Sequence, residues 1–227
     1  MTPEALARVM EATWPPAQVW QQGPFLCREG AGGGKRVSAA SCEGAWTEAD
    51  LDALDQGLVM IRSGDEALDA ALEARDWRVV DPVVAYTAPV AVLTAELPPL
   101  SAFPHWPPLE ITRAIWAEGG IGAARLAVMA RVMGPHAAIL ARHDDRPAGA
   151  AFVALAGEQA MVHAVEVREA VRRQGIGATL LRAAANWAAG EGARDLSLVV
   201  TRQNTAARAL YARLGMRVVG EYHYRMK

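Results

Sequence analysis

The sequence predicts an α+β fold. A mixed, mostly antiparallel sheet with helices on both faces fills the C-terminal half, beside a smaller α/β N-terminal half. Three observations carry this. Residues 136–167 alternate apolar stretches with the turn signals DDRPAG and AGEQ, the pattern of a three-stranded meander. From Arg172 to the C-terminus, helical and strand periods alternate as helix, strand, helix, strand. Residues 57–86 read strand, helix, strand in a similar order.

In chain order, MTPEALARVMEATW carries acids and lacks a long apolar core, so it does not read as a signal peptide. Cys27 and Cys42 lack C-x-x-C spacing and clustered His, and are expected as small hydrophobes in strands. GAGGGKRVS (30–38) has Arg36 where a P-loop needs Ser or Thr, and reads as a hairpin loop leading into a strand, KRVSAAS. The proline-rich segment 88–110 is the natural linker, dividing residues 1–95 from 96–227. Trp106, Trp116 and Met129, in or beside residues 108–135, are either plain core or the lining of a pocket.

After the meander, Ile176, Leu180, Ala184, Trp187 and Ala188 share one face of a helix over about 177–189, stopped by Gly190 and Gly192. DLSLVVT (195–201) is a short strand. Asn204 caps a second helix that Gly215 terminates, with Ala207, Leu210, Tyr211 and Leu214 as its apolar stripe. The closing strand puts Val218, Gly220, Tyr222 and Tyr224 on one face. Sliding RDWRVVD (75–81) onto LGMRVVG (214–220) matches both residues and element order, the sign of an internal duplication. Leu72 then falls opposite Tyr211, and Asp65 opposite Asn204.

The net charge of −2 gives no basic field to recommend nucleic acid as a partner. Nowhere do 18 apolar residues run unbroken, so no membrane span is expected and the chain reads as cytoplasmic. No metal site is expected.

The junction RRQGIG (172–177) bears the chemistry. It is not a dinucleotide fingerprint, because Leu180 stands where a third glycine or alanine belongs. What remains is strand, Arg-rich turn, glycine pair, helix. Unpaired amides at the positive end of a helix dipole bind anions, and glycine lets a bulky anion approach the backbone.

At this point the sequence resembles the GNAT superfamily, the acetyl-CoA-dependent N-acetyltransferases. V-REAV-RRQGIG places Val167, Arg172, Gly175 and Gly177 in the family's first signature. VVTRQNTAARALYARLGM supplies Asn204 and, seven residues on, Tyr211 for the second. The resemblance covers about residues 109–227; Glu169 departs from it, where many members carry proline. It implies acetyl-CoA as cosubstrate and a small-molecule or peptide amine as acceptor. It implies that the amides of Arg173, Gln174, Gly175, Ile176, Gly177 and Ala178 bind the pyrophosphate of coenzyme A, with the Arg172 and Arg173 side chains beside it. The strand ending at Val167 would pair with the pantetheine arm, and the Val165 amide would face the thioester carbonyl. Tyr211 matches the general acid for the leaving thiolate; read alone, it is a core aromatic. Asn204 would serve as N-cap and cofactor contact. For the base, Glu166 and His163 stay open, with strand alternation placing His163 on the face of Val165 and Val167, and Glu166 opposite.

The N-terminal half resembles a degenerate GNAT copy more weakly. CEGAWTEADLDAL (42–54) stands where its pyrophosphate turn would be, with one glycine, no arginine and several acids. A homodimer is allowed by this reading. A CoA-binding sensor or scaffold without transferase activity is the alternative, needing RRQGIG but neither Tyr211 nor a base.

Overall fold

Thr2 opens the first helix by accepting a hydrogen bond from the Ala5 amide, and α1 (Pro3–Thr13) buries Leu6, Val9 and Met10. The computed structural model describes residues 2–227. β1 (Gln18–Gln22), β2 (Phe25–Glu29) and β3 (Ala40–Cys42) follow, then α2 (Glu48–Ala53), β4 (Leu58–Arg62), α3 (Glu66–Glu73) and β5 (Arg78–Pro89). Next come α4 (Val90–Leu93), β6 (Ala102–His105), α5 (Glu110–Glu118) and α6 (Ala123–Ala130). The meander is β7 (His136–His143), β8 (Arg146–Ala156) and β9 (Gln159–Val167). The chain ends α7 (Ile176–Gly190), β10 (Asp195–Thr201), α8 (Thr205–Arg213) and β11 (Arg217–Met226).

Three local expectations need correcting. The proline-rich linker is largely structured: it holds the end of β5, α4 and β6, an edge strand where Pro104 is tolerated because one side lacks a partner. KRVSAAS is not a strand from its start, since Lys35–Val37 make a 3-10 turn and β3 begins only at Ala40. In β11, register shifts between Val218 and Gly220 and between Tyr222 and Tyr224 break the alternation. Val218 therefore leaves the face of Gly220, Tyr222 and Tyr224 and is 51% exposed.

All eleven strands join one sheet, ordered β1-β2-β3-β4-β11-β5-β10-β9-β8-β7-β6. Among the described residues only β3–β4 and β9–β10 pair in parallel. β5, which belongs to the first part of the chain, lies between β10 and β11; β11, the last strand, lies between β4 and β5. The units β4-α3-β5 and β10-α8-β11 thus lend each other their final strands. Alternate residues of β5 divide the core. Val84 and Tyr86 pack with Leu180 and Leu181 of α7, while Val83 and Ala85 pack with Leu6 and Val9 of α1. The same alternation puts α2, α3, α4, α7 and α8 on one face, and α1, α5 and α6 on the other. Among the described residues no helix is long and apolar enough to cross a membrane.

Candidate active site

β9 and β10 run in register from Asp195 opposite Gln159 to Leu198 opposite Val162, and then part. At the parting β9 carries a bulge. Ala150 faces Glu166 and Phe152 faces His163, so Ala151 opposes both Ala164 and Val165. Ala164 takes a left-handed conformation (φ 52°), and its carbonyl accepts a 2.8 Å hydrogen bond from the Trp116 indole. Because the peptide is planar and trans, that bond aims the Val165 N–H away from Trp116. The bulge also overturns one expectation. The extra residue re-phases the strand, so His163 lies with Trp14 and Phe152 on the α1–α5 face, while Val165 and Val167 pack on the α7 face. Glu166 is opposite the valines as expected, close against Gly119, and therefore shares the face of His163.

On the α7 face, the turn before the helix has Arg173 at φ 65° and Gly175 at φ 85°, both left-handed. Thr179 donates to the Gly175 carbonyl and no side chain caps the helix, so the amides of Ile176, Gly177 and Ala178 point outward at its positive end. Ile176 meanwhile buries its side chain in the core, and Arg172 to Gly175 are exposed. The two glycines differ in kind. A Cβ on Gly175 would meet nothing, whereas one on Gly177 would lie 2.9 Å from Leu210 Cδ2 of α8. Arg172 turns back on β9, donating to the Val167 carbonyl (3.1 Å) and to Glu166 Oε1 (3.3 Å). Arg173 has no hydrogen bond or ion pair among the described residues.

Tyr211 lies on the same face, buried beside Val165, Val167 and Val200. Its ring meets Tyr86 of β5 edge-on at 5.5 Å, and the Tyr86 hydroxyl accepts from Arg208 Nε. Burial, with Tyr86 adding to it, pushes the Tyr211 phenol up to about 12. Asn204 caps α8 as expected, accepting from the Ala207 amide at 3.1 Å. Arg208 is half-buried in this cluster.

On the other face, a cavity of about 330 Å³ opens where the strands part. His163, Ala164 and Val199 to Thr201 form its floor, with Trp14, the Gly33–Arg36 segment, Asp81 and Arg125 around it. His163 is buried and fully bonded. The Thr13 hydroxyl gives its proton to the Val9 carbonyl, so it accepts from His163 Nε2, while Nδ1 accepts from Arg36 (3.0 Å). Burial and the neighbouring Arg36 hold the imidazole well below its ordinary pKa, and it is neutral. Neither ring nitrogen is left to take a proton. Trp116 and Met129 are wholly buried and do not line this cavity; Trp106 is partly exposed and stacks on His136. Sequence reasoning missed Thr13, Arg36, Asp81 and Tyr86, all supplied by the first part of the chain. Among the described residues no group of three or more His, Cys, Asp or Glu could hold a metal ion.

An uncapped helix start on one face, a cavity on the other and a bulged strand at the opening between them make up the candidate site. Residues 103–216, half of the chain, match the family described as Acetyltransferase (GNAT) family, and the chain belongs to that family of acyltransferases. A curated relative, the "Uncharacterized N-acetyltransferase YobR" of Bacillus subtilis (strain 168), is 36% identical over 63 residues; these span 28% of this chain and 26% of that protein. The match therefore covers about a quarter of that relative's length. Among solved structures, a GCN5-related N-acetyltransferase from Kribbella flavida shares the fold at a TM-score of 0.72 and 19% identity, covering 100% of this chain and 96% of that one. A tandem GNAT protein from the clavulanic acid biosynthesis pathway does so at 0.63 and 13%, covering 89% and 77%.

Proposed function

We propose that the chain is an acetyl-CoA-dependent N-acetyltransferase with one active site, built on residues 96–227, and that residues 1–95 derive from a second GNAT unit that has lost its cofactor site. The observation that supports this is the parted pair β9 and β10, which joins an uncapped helix start on one face to an open cavity on the other. The chain's residues fit the cofactor. Outward amides from Arg173 to Ala178 offer a cradle for pyrophosphate, and the open space at Gly175 admits it close to the backbone. The first unit contrasts with this. Thr47 and Asp50 close a capping box at the start of α2, acids occupy its first turn, Asp65 stands for Asn204 and Leu72 for Tyr211.

In this reading the amine nitrogen adds to the thioester carbon from the cavity side, forming the C–N bond, and the C–S bond breaks as the resulting tetrahedral oxyanion collapses and expels the thiolate. The Val165 amide, held by the Trp116–Ala164 bond, hydrogen-bonds the developing oxyanion. Glu166 receives the amine's proton through solvent, and the Tyr211 hydroxyl donates toward the departing sulfur. With the phenol near 12, complete transfer to a thiolate whose acid has a pKa of about 8.5 is uphill by roughly 5 kcal/mol, so a donated hydrogen bond is the larger part of its role. That same burial favours a second reading, a CoA-binding protein without turnover. The acceptor is a small-molecule or peptide amine, and the setting is cytoplasmic.

Equilibrium binding of acetyl-CoA tests the reading. Saturable binding by the wild type that Gly175→Asp weakens at least tenfold is expected. Absent binding, or binding indifferent to the substitution, removes it. Release of free thiol with an amine panel separates transferase from sensor.

A further inference from the structure

We propose that the acceptor carries a carboxylate beside its reactive amine, recognised in the cavity by Arg125 and Arg36; this rests on the acetyltransferase reading for the amine's fate, but not for the carboxylate's binding. The cavity is lined by three cationic side chains, Lys35, Arg36 and Arg125, and by one carboxylate, Asp81. Lys35 Nζ lies 2.6 Å from Asp81 Oδ2, so those two charges offset one another. Two guanidinium groups remain without an anion.

Their surroundings do not neutralise them. Arg36 sits 5.8 Å over the Trp14 ring and donates one Nη1 to His163, which is neutral; its Nε is buried with no partner. A buried charged donor left unpaired is costly, and a bound anion would repay it. The side chain of Arg125, on α6 at the mouth, makes no hydrogen bond or ion pair among the described residues, and its guanidinium lies near the Gly34 position of the facing loop. Glu166, the nearest acid on β9, is turned to Arg172 and does not line the cavity.

A planar guanidinium presents paired donors that match a carboxylate, which a bare ammonium ligand could not use. The volume suits an acceptor of small-molecule size. The charge has a second consequence. Two uncompensated cations beside the opening disfavour an ammonium and favour the free amine, the nucleophilic form. Polyamines, with only positive charge, are excluded by the same field. GAGGGKRVS thus acquires a role: Gly33 and Gly34 bring the backbone over the cavity, and Lys35 and Arg36 follow on its wall.

The test uses the full chain, with proteinogenic L-amino acids, their α-amides and the matching decarboxylated amines as probes. Equilibrium binding of each probe to the protein, and thiol release with acetyl-CoA, are both measured. At least one free amino acid should bind saturably, tenfold or more tighter than its amide and its decarboxylated amine. Arg125→Gln, which breaks no intramolecular bond, should reduce that preference at least fivefold with acetyl-CoA binding unchanged. Carboxylate-dependent binding without thiol release would retain this site and overturn the transferase reading. Turnover of amides or decarboxylated amines equal to that of amino acids, a preference that survives Arg125→Gln, or no binding of any probe would overturn the proposal.

Discussion

Tyr211 shows how one residue's chemistry depends on neighbours that its own segment does not contain. The resemblance to the GNAT signature singles it out, and burial raises its proton affinity. A folded pKa of about 12 against about 10 unfolded means that the folded state holds the proton more tightly. The associated stabilisation is fully present below pH 10 and is lost as pH rises from 10 toward 12. The phenol is therefore protonated across the neutral range, and the kcat profile between pH 7 and 10 should show no alkaline decline that Tyr211→Phe abolishes. That variant should lower kcat on the order of 100-fold while leaving acetyl-CoA affinity within about threefold. Steady-state thiol release and equilibrium binding check both; full activity would take Tyr211 out of the mechanism. His163 illustrates the opposite limit. Alternation placed it on the valine face, and a single bulged residue moved it.

Elements were legible where period and punctuation agreed. The strand at 195–201 has the bounds that its β-rich run predicts, and α8 has the expected cap. The meander divides at its two turn signals. Legibility failed at α4 and β6, which are short and held by edge pairing and by contacts with α7 rather than by local preference. The glycines of the RRQGIG helix start, which the sequence reads as one anion site, have unequal places in the fold. Gly175 supplies a left-handed turn, whereas Gly177 lets α7 approach Leu210 of α8. Gly177→Ala should accordingly destabilise the protein by at most about 1 kcal/mol, because the Leu210 side chain can turn aside and alanine favours the helix. Adding Leu210→Ala should shrink that increment, as chemical denaturation of the single and double variants would reveal. An undiminished increment would assign Gly177 to the backbone rather than to the α7–α8 contact.

At the scale of the whole molecule, β5 is the strand on which the C-terminal half depends. β10 and β11 are not neighbours, and each is bonded to β5 along most of its length. Residues 96–227 expressed alone should therefore lack a cooperative unfolding transition, and co-expression with residues 1–95 should restore it. A soluble, cooperatively folding fragment would show that β10 and β11 can close on each other. The same interleaving carries Tyr86 to Tyr211 and Asp81 to the cavity, and α1 sets Thr13 against His163. By itself the sequence determined the element order, the strand–turn–helix that offers its amides to an anion, and the Asn204–Tyr211 spacing. These depend on periodicity, glycine conformation and helix ends, all local in the chain. Only the tertiary structure decided the exchange of β5 and β11, the parting of β9 from β10, and the cations gathered at that opening. Strand pairing and the burial of charge join residues far apart in sequence, so no local pattern encodes them.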